Sequence, residues 1–258
     1  MDVCYCYDGS LDGFLTCVFD AYLYKEPPLA FRTEEEPPTL WEERMVETDS
    51  EKAHRVLKAL GEKISPRAQL LVRRGFWTGV PERELMLFRF IRFGLIHGPK
   101  ALQAIADLNV APLLRAVQHL EHEAHLYTGF VRFSQQNGIL VGEIEPKNRV
   151  LPLLRPHFCG RLNTECFVLH DRTHREALFY KPGRWAILPV ENFRVGTPGP
   201  EELRFRALWR TFYDTVAIEG RINPKLQRTH LPLHFRRVMT EFTPDDNALS
   251  QNSKGTVG

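Results

Sequence analysis

Asp8 and Asp12 stand four residues apart with Ser10 midway between them and glycines at positions 9 and 13, in the run Tyr7-Asp8-Gly9-Ser10-Leu11-Asp12-Gly13-Phe14. Two carboxylates and a hydroxyl in a glycine-bearing loop suit acid–base work or the holding of a phosphate or metal ion, because glycine allows close backbone approach. The same pattern is also ordinary turn chemistry leading into a buried helix. A second concentration of titratable groups is His157, Arg161, His170, Asp171, His174 and Arg175. Asp171 suits orienting a histidine or holding Arg175 in a charge-assisted pair, and Arg161, four residues after His157, shares its helix face. A phosphate-gripping or acid–base site and a surface ion-pair network both fit this group.

A third segment, Arg221-Ile222-Asn223-Pro224-Lys225-Leu226-Gln227-Arg228, runs on to Arg236 and Arg237. Arginine and lysine neutralise phosphates, asparagine and glutamine read base edges, and Phe235, Tyr213 or Trp209 offers a stacking surface. Alternatively, Asn223-Pro224 caps a helix and the arginines pair with Glu202, Asp214 and Glu219. His119, His122 and His125 recur every three residues, but the first and third drift round a helix, unlike the His pair at four residues in the zinc-protease motif. That pattern is assigned no metal, and the sequence names no cofactor. Cys4 and Cys6 share one side of a strand, with Cys17 on the next helix; without a CxxC pair they read as buried small hydrophobes.

The elements that must position these groups follow from periodicity. Asp2–Tyr7 reads as a strand, and Leu11–Lys25 as a helix whose N-cap is Ser10, so the carboxylate loop joins a strand to a helix N-terminus, a place suited to anions. Leu29–Arg32 reads as a second strand, and the acidic, proline-rich stretch after it as a surface connection. Helices are predicted at Ser50–Ile64, Ser65–Arg74, Pro81–Ile96, Pro99–Leu108 and Ala111–His125, the prolines falling near helix starts. The period then changes to two at Gly129–Phe133 and Ile139–Ile144, joined by Gln136-Asn137-Gly138 as a hairpin. A helix at Val150–Leu162 and strands at Cys166–His170, Ala177–Tyr180 and Trp185–Leu188 complete a β-β-α-β-β-β lobe, read as one antiparallel sheet.

The fold class is therefore α+β: an N-terminal strand-loop-helix, a helical middle at about 50–126, a sheet lobe at about 127–192 and C-terminal helices at about 200–242. A single domain over 1–242 with a disordered polar tail at 243–258 is the expected organisation. The 258 residues are 43% hydrophobic and 26% charged, which places the chain among globular proteins with a full core. No run of about 20 apolar residues is present and the N-terminus lacks a secretory pattern, so a cytoplasmic location is expected. Net charge is +2, but residues 1–140 carry −3 and the remainder +5, with arginine dominating the second part. That asymmetry is compatible with phosphate contacts.

Taken together, these segments resemble a bacterial family of DNA metabolism or DNA repair proteins, a domain of unknown function found alone or ahead of a uracil-DNA-glycosylase-like domain. The resemblance is carried by Tyr7-Asp8-Gly9-Ser10, Asp12-Gly13-Phe14-Leu15, Glu123, His125, Gly129–Phe133, His157-Phe158, Arg161, Asp171, Asn223-Pro224, Gln227-Arg228, Pro232 and Glu241. It departs at Leu233-His234-Phe235, where an Arg-Tyr-Trp-like run is expected. The resemblance implies a partner, a radical S-adenosylmethionine protein with a helix-hairpin-helix region; lacking a CxxxCxxC cluster, this chain would be the companion.

Two functional expectations follow. In the first, the chain is a DNA-binding or adaptor component, with Ser10, Arg132, Arg161, Arg175, Asn223, Lys225, Gln227, Arg228, Arg236 and Arg237 contacting DNA. In the second it is a phosphate- or nucleotide-processing hydrolase, with Asp8, Asp12, His125, His157 and Asp171 as catalytic groups.

Overall fold

The computed structural model describes residues 3–37, 39–136 and 138–190, and the chain divides into two compact units, Met1–His122 and Glu123–Gly258. The predicted helices at 200–219 and 233–242, the tail, and the candidates Asn223, Lys225, Gln227, Arg228, Arg236 and Arg237 lie outside the described residues.

In the first unit, strand β1 (Val3–Tyr7) is the centre of a three-stranded parallel sheet, flanked by β2 (Pro28–Thr33) and β3 (Glu42–Met45). Helix α1 (Leu11–Tyr24) joins β1 to β2 and returns the chain to the same end of the sheet, which makes the pair parallel. All five residues of β1 are buried, as befits the middle strand of a parallel sheet. Strand β3 is absent from the sequence-based expectation. Its residues Glu42, Glu43 and Arg44 look like surface, but Glu43 pairs with Arg32 of β2 at 2.9 Å and Arg44 with Glu26 at 2.8 Å, so the charges are neutralised at the sheet.

Four further helices follow: α2 (Ser50–Lys63), α3 (Pro66–Phe76), α4 (Arg83–His97) and α5 (Ala111–Phe130). Asp49 caps α2 by accepting from the Glu51 and Lys52 N–H groups, and Ser65 caps α3 by accepting from Ala68 N–H, with Pro66 in the first turn. In α2, Ala53, Val56, Leu57 and Leu60 form the buried stripe. Phe14 of α1 packs edge-on to Phe31 of β2 at 5.3 Å and stacks on Phe76 of α3 at 6.0 Å, tying sheet and helices into one core. The helix expected at 99–108 is instead a short 3-10 helix, Gly98–Gln103. The Asp107 side chain accepts from the Asn109 backbone and amide, and its carbonyl from Val110 and Ala111, forming a turn that ends the run before α5.

The second unit holds a five-stranded sheet in the order β4-β5-β6-β7-β8, formed by Phe133–Gln136, Ile139–Ile144, Phe167–Asp171, Glu176–Lys181 and Arg184–Pro189. Helix α6 (Leu151–Arg161) connects β5 to β6, reproducing the predicted β-β-α-β-β-β order. The sheet is mixed and not wholly antiparallel, because that helical crossover makes β5 and β6 a parallel pair. The strand expected at 129–133 starts only at Phe133. The buried stripe Leu113, Val117, Leu120, Ala124 and Tyr127 carries α5 on to Phe130, and Val131 N–H bonds the Tyr127 carbonyl at 3.1 Å. Among the described residues no helix is long and apolar enough to cross a membrane.

Candidate functional site

The loop Asp8–Ser10 leaves the carboxyl end of β1 between two parallel neighbours, the position at which open parallel sheets place their ligands. Gly9 takes φ +80°, a left-handed value that favours glycine. Ser10 is the N-cap of α1, its hydroxyl accepting from Gly13 N–H at 2.9 Å. Asp8, however, is not free: its carboxylate accepts from Ser10 N–H at 2.9 Å and from the Thr48 hydroxyl at 2.8 Å. Burial pushes the carboxyl pKa up, but the bonds from Ser10 and Thr48 outweigh it and hold Asp8 below its ordinary value. A Cβ at Gly13 would lie 2.3 Å from Asp8 Oδ1, so the protein's own carboxylate sits against the start of α1.

Beside it, the Thr16 hydroxyl donates to the Asp12 carbonyl at 2.7 Å and accepts from Asp49 N–H at 3.1 Å. Asp8 and Thr16 thus bind the start of α1 to the segment leading into α2. Asp12 is exposed in the first turn. Beneath the loop, Tyr7 is buried and donates to Glu84 at 2.9 Å; burial and then the Glu84 carboxylate push its hydroxyl far above the ordinary tyrosine value. Cys4, Cys6 and Cys17 are buried, and burial raises each thiol's pKa, in keeping with small apolar side chains packed in the core.

In the second unit, the carboxyl ends of the parallel strands β5 and β6 bring Ile144 opposite Asp171. Asp171 is fully buried; its Oδ1 accepts from the Thr173 and His174 N–H groups at 3.0 and 3.1 Å, and its Oδ2 lies 2.7 Å from His174 Nδ1. The structure therefore resolves the choice left open by sequence: Asp171 orients a histidine, His174, and not Arg175. Glu123 of α5 accepts from Lys147 N–H, Asn148 N–H and the Asn148 amide at 2.8, 2.9 and 2.7 Å, fixing the loop after β5. Tyr127, one turn along α5, is buried, and burial followed by the Glu123 charge raises its hydroxyl pKa strongly.

His125 and His157, offered as acid–base groups, are both exposed; among the described residues the His157 ring meets the edge of Phe158, at 4.9 Å. His119 and His122 are exposed on α5 as well, and among the described residues no group of three His, Cys, Asp or Glu side chains is placed to hold a metal. Arg161 ends α6, Arg175 occupies the β6–β7 turn at φ 53°, and both are exposed. Arg132 precedes β4 and turns back onto the Gly129 carbonyl at 3.1 Å. Sheet register separates these arginines: Arg132 and Arg175 lie toward the carboxyl ends of β5 and β6, whereas Arg161 lies toward their amino ends.

Of the six carboxylates among this unit's described residues, five are committed to the unit's own residues, and the sixth, Glu165, is exposed beside the Thr164 hydroxyl at 3.4 Å. Glu143 lies 3.4 Å from His170, Glu145 pairs with Arg172 at 3.1 Å, Glu176 pairs with Arg149, Glu123 holds its loop and Asp171 holds His174. Arg161, Arg175, Lys181 and Arg184 make no ion pair with a carboxylate of the described residues. Lys181 and Arg184 escaped the sequence analysis, although Lys181-Pro182-Gly183-Arg184 carries a turn signal between two alternating segments and so announced a pair of basic residues at a hairpin end.

A family model described as a domain of unknown function, DUF4130, matches residues 81–241. The matched span includes α6 and the whole five-stranded sheet, and it leaves the Asp8–Gly13 loop outside. No curated protein matches the chain.

Proposed function

The chain belongs to the DUF4130 family, and we propose that it is a DNA-metabolism or DNA-repair component that binds nucleic acid through its second unit, as adaptor or companion to a radical S-adenosylmethionine partner. One observation carries this reading: among the described residues of the second unit Glu123, Glu143, Glu145, Asp171 and Glu176 are taken up internally, whereas Arg161, Arg175, Lys181 and Arg184 are exposed cations in no ion pair with a described carboxylate. Exposed cations without internal counter-charges are what a polyanion neutralises, releasing its own counterions. The resemblance of the sequence to DNA-metabolism proteins selects DNA among polyanions.

The test is fluorescence anisotropy of the purified chain with single-stranded, duplex and uracil-containing DNA across a salt series, with and without the radical-enzyme partner. Salt-dependent binding by the chain alone is the expected result. Binding only in the partner's presence marks an adaptor, and no binding in either arrangement rejects the reading.

A second reading, a phosphate- or nucleotide-processing hydrolase at the Asp8–Gly13 loop, draws on the loop's place at the carboxyl ends of parallel strands. Asp8 already supplies an anion at that helix start, so a phosphate there requires Asp8 to move or a cation to intervene. Asp8→Asn that abolishes phosphate release at an unchanged melting temperature would favour this reading.

A further inference from the structure

Val168, Phe179 and Ala186 lie in register across β6, β7 and β8, so the pleat sends the three side chains to one face of the sheet. Two residues farther along β7, Lys181 stands opposite Arg184 of β8, on that same face. These five residues, with Ile139 and Cys166 at the side, line a concave surface of about 360 Å³. Its lining is mostly apolar, with Phe167, Tyr180 and Trp185 contributing beside Phe179, and its rim carries two exposed cations that pair with no carboxylate of the described residues.

We propose that this groove binds one unpaired nucleobase of a single strand, stacked on Phe179, with the adjoining backbone phosphate held by Lys181 and Arg184. The proposal rests on the nucleic-acid reading above and specifies the strand form and the subsite. Three features select this occupant. The volume falls at the lower end of the range for small-ligand sites, about 300–1,000 Å³, which admits a nucleotide-sized group and excludes a duplex. A base presents an apolar face to a ring whatever its identity, so stacking on Phe179 is sequence-tolerant. The phosphate attached to that base meets a flexible ammonium and a guanidinium fork, the latter matched to two phosphate oxygens. A purely apolar ligand would leave both cations unanswered, and a bare anion would leave the floor unused.

The experiment uses the full chain with fluorescein-labelled oligothymidylate and a mixed-sequence duplex of equal length. Wild type is compared with Phe179→Leu, which keeps apolar bulk without an aromatic face, and with the surface double variant Lys181→Ala/Arg184→Ala. The expected result is tighter binding to the single strand than to the duplex. Phe179→Leu should weaken single-strand binding about tenfold, with the salt slope unchanged. The double variant should lower the slope of log affinity against log salt by about 0.7, the value for one phosphate contact on a single strand. Cys166 is the exposed cysteine of the groove, and bound oligothymidylate should slow its alkylation in the wild type, a readout that needs no substitution.

Wild-type binding that is indifferent to both variants and leaves Cys166 unprotected overturns the groove while leaving the DNA reading standing. Preference for duplex overturns the single-strand assignment. Failure of the wild type to bind any DNA, alone or with the partner, overturns both.

Discussion

Asp8 and Asp171 are both carboxylates at the carboxyl ends of parallel strands, yet their surroundings give them different tasks. Asp8 is exposed, and its bonds from Ser10 and Thr48 lower its pKa. A carboxyl whose folded pKa lies below its unfolded value of about 3.9 contributes stability above that value and loses it as pH falls through the folded one. Asp8→Ala should therefore be less stable than wild type at neutral pH, and the gap should narrow in acid unfolding curves below about pH 4; a gap independent of pH would contradict this. Asp171 is buried, and its removal leaves the Thr173 and His174 N–H groups without their acceptor. Asp171→Ala should cost about 2 kcal/mol in denaturant melts. Asp171→Asn, which keeps one oxygen for those donors, should lose less, and equal losses would show that the acceptor is not what Asp171 supplies.

Elements were legible where packing and local pattern agree. The Ser65-Pro66 start of α3, the apolar stripe of α2 and the order β-β-α-β-β-β were all readable, because caps, prolines and period are local properties. Strand β3 was hidden, since its place is set by backbone pairing to β1 and by ion pairs with Arg32 and Glu26, partners distant in sequence. The end of α5 was misplaced because Phe130, Val131 and Phe133 have strand propensity, whereas burial of Tyr127 decides the matter. The loop candidates Asp8 and Ser10 were found by composition, but Thr48, which completes their bonding, comes from 40 residues away.

Packing at this scale makes its own predictions. A Cβ at Gly75 would meet Leu113 at 2.4 Å and Leu87 at 2.7 Å, so α3 approaches α4 and α5 through a glycine. Gly75→Ala should destabilise by about 1–3 kcal/mol despite alanine's better helix propensity, and a stabilised variant would contradict that packing. Ser65→Ala should cost about 1 kcal/mol through the lost bond to Ala68 N–H, read from urea midpoints.

For the whole molecule, the charge division seen in sequence, −3 before residue 140 and +5 after it, gains a structural basis in the second unit. There, among the described residues, Asp171, Glu143, Glu145, Glu176 and Glu123 are bound to His174, His170, Arg172, Arg149 and the loop after β5, which leaves one exposed carboxylate, Glu165, against the exposed Arg161, Arg175, Lys181 and Arg184. An internal use of acids and an external display of bases is the pattern expected of a surface that meets phosphate, and family membership over 81–241 includes this unit's sheet but not the Asp8 loop. The most direct measurement is anisotropy of single-stranded DNA titrated with the purified chain from low to physiological salt. Affinity should fall steeply with salt, with a shallower slope when Arg161, Arg175, Lys181 and Arg184 are all replaced by alanine. Binding that is absent at low salt, or equally steep after those four replacements, would contradict this.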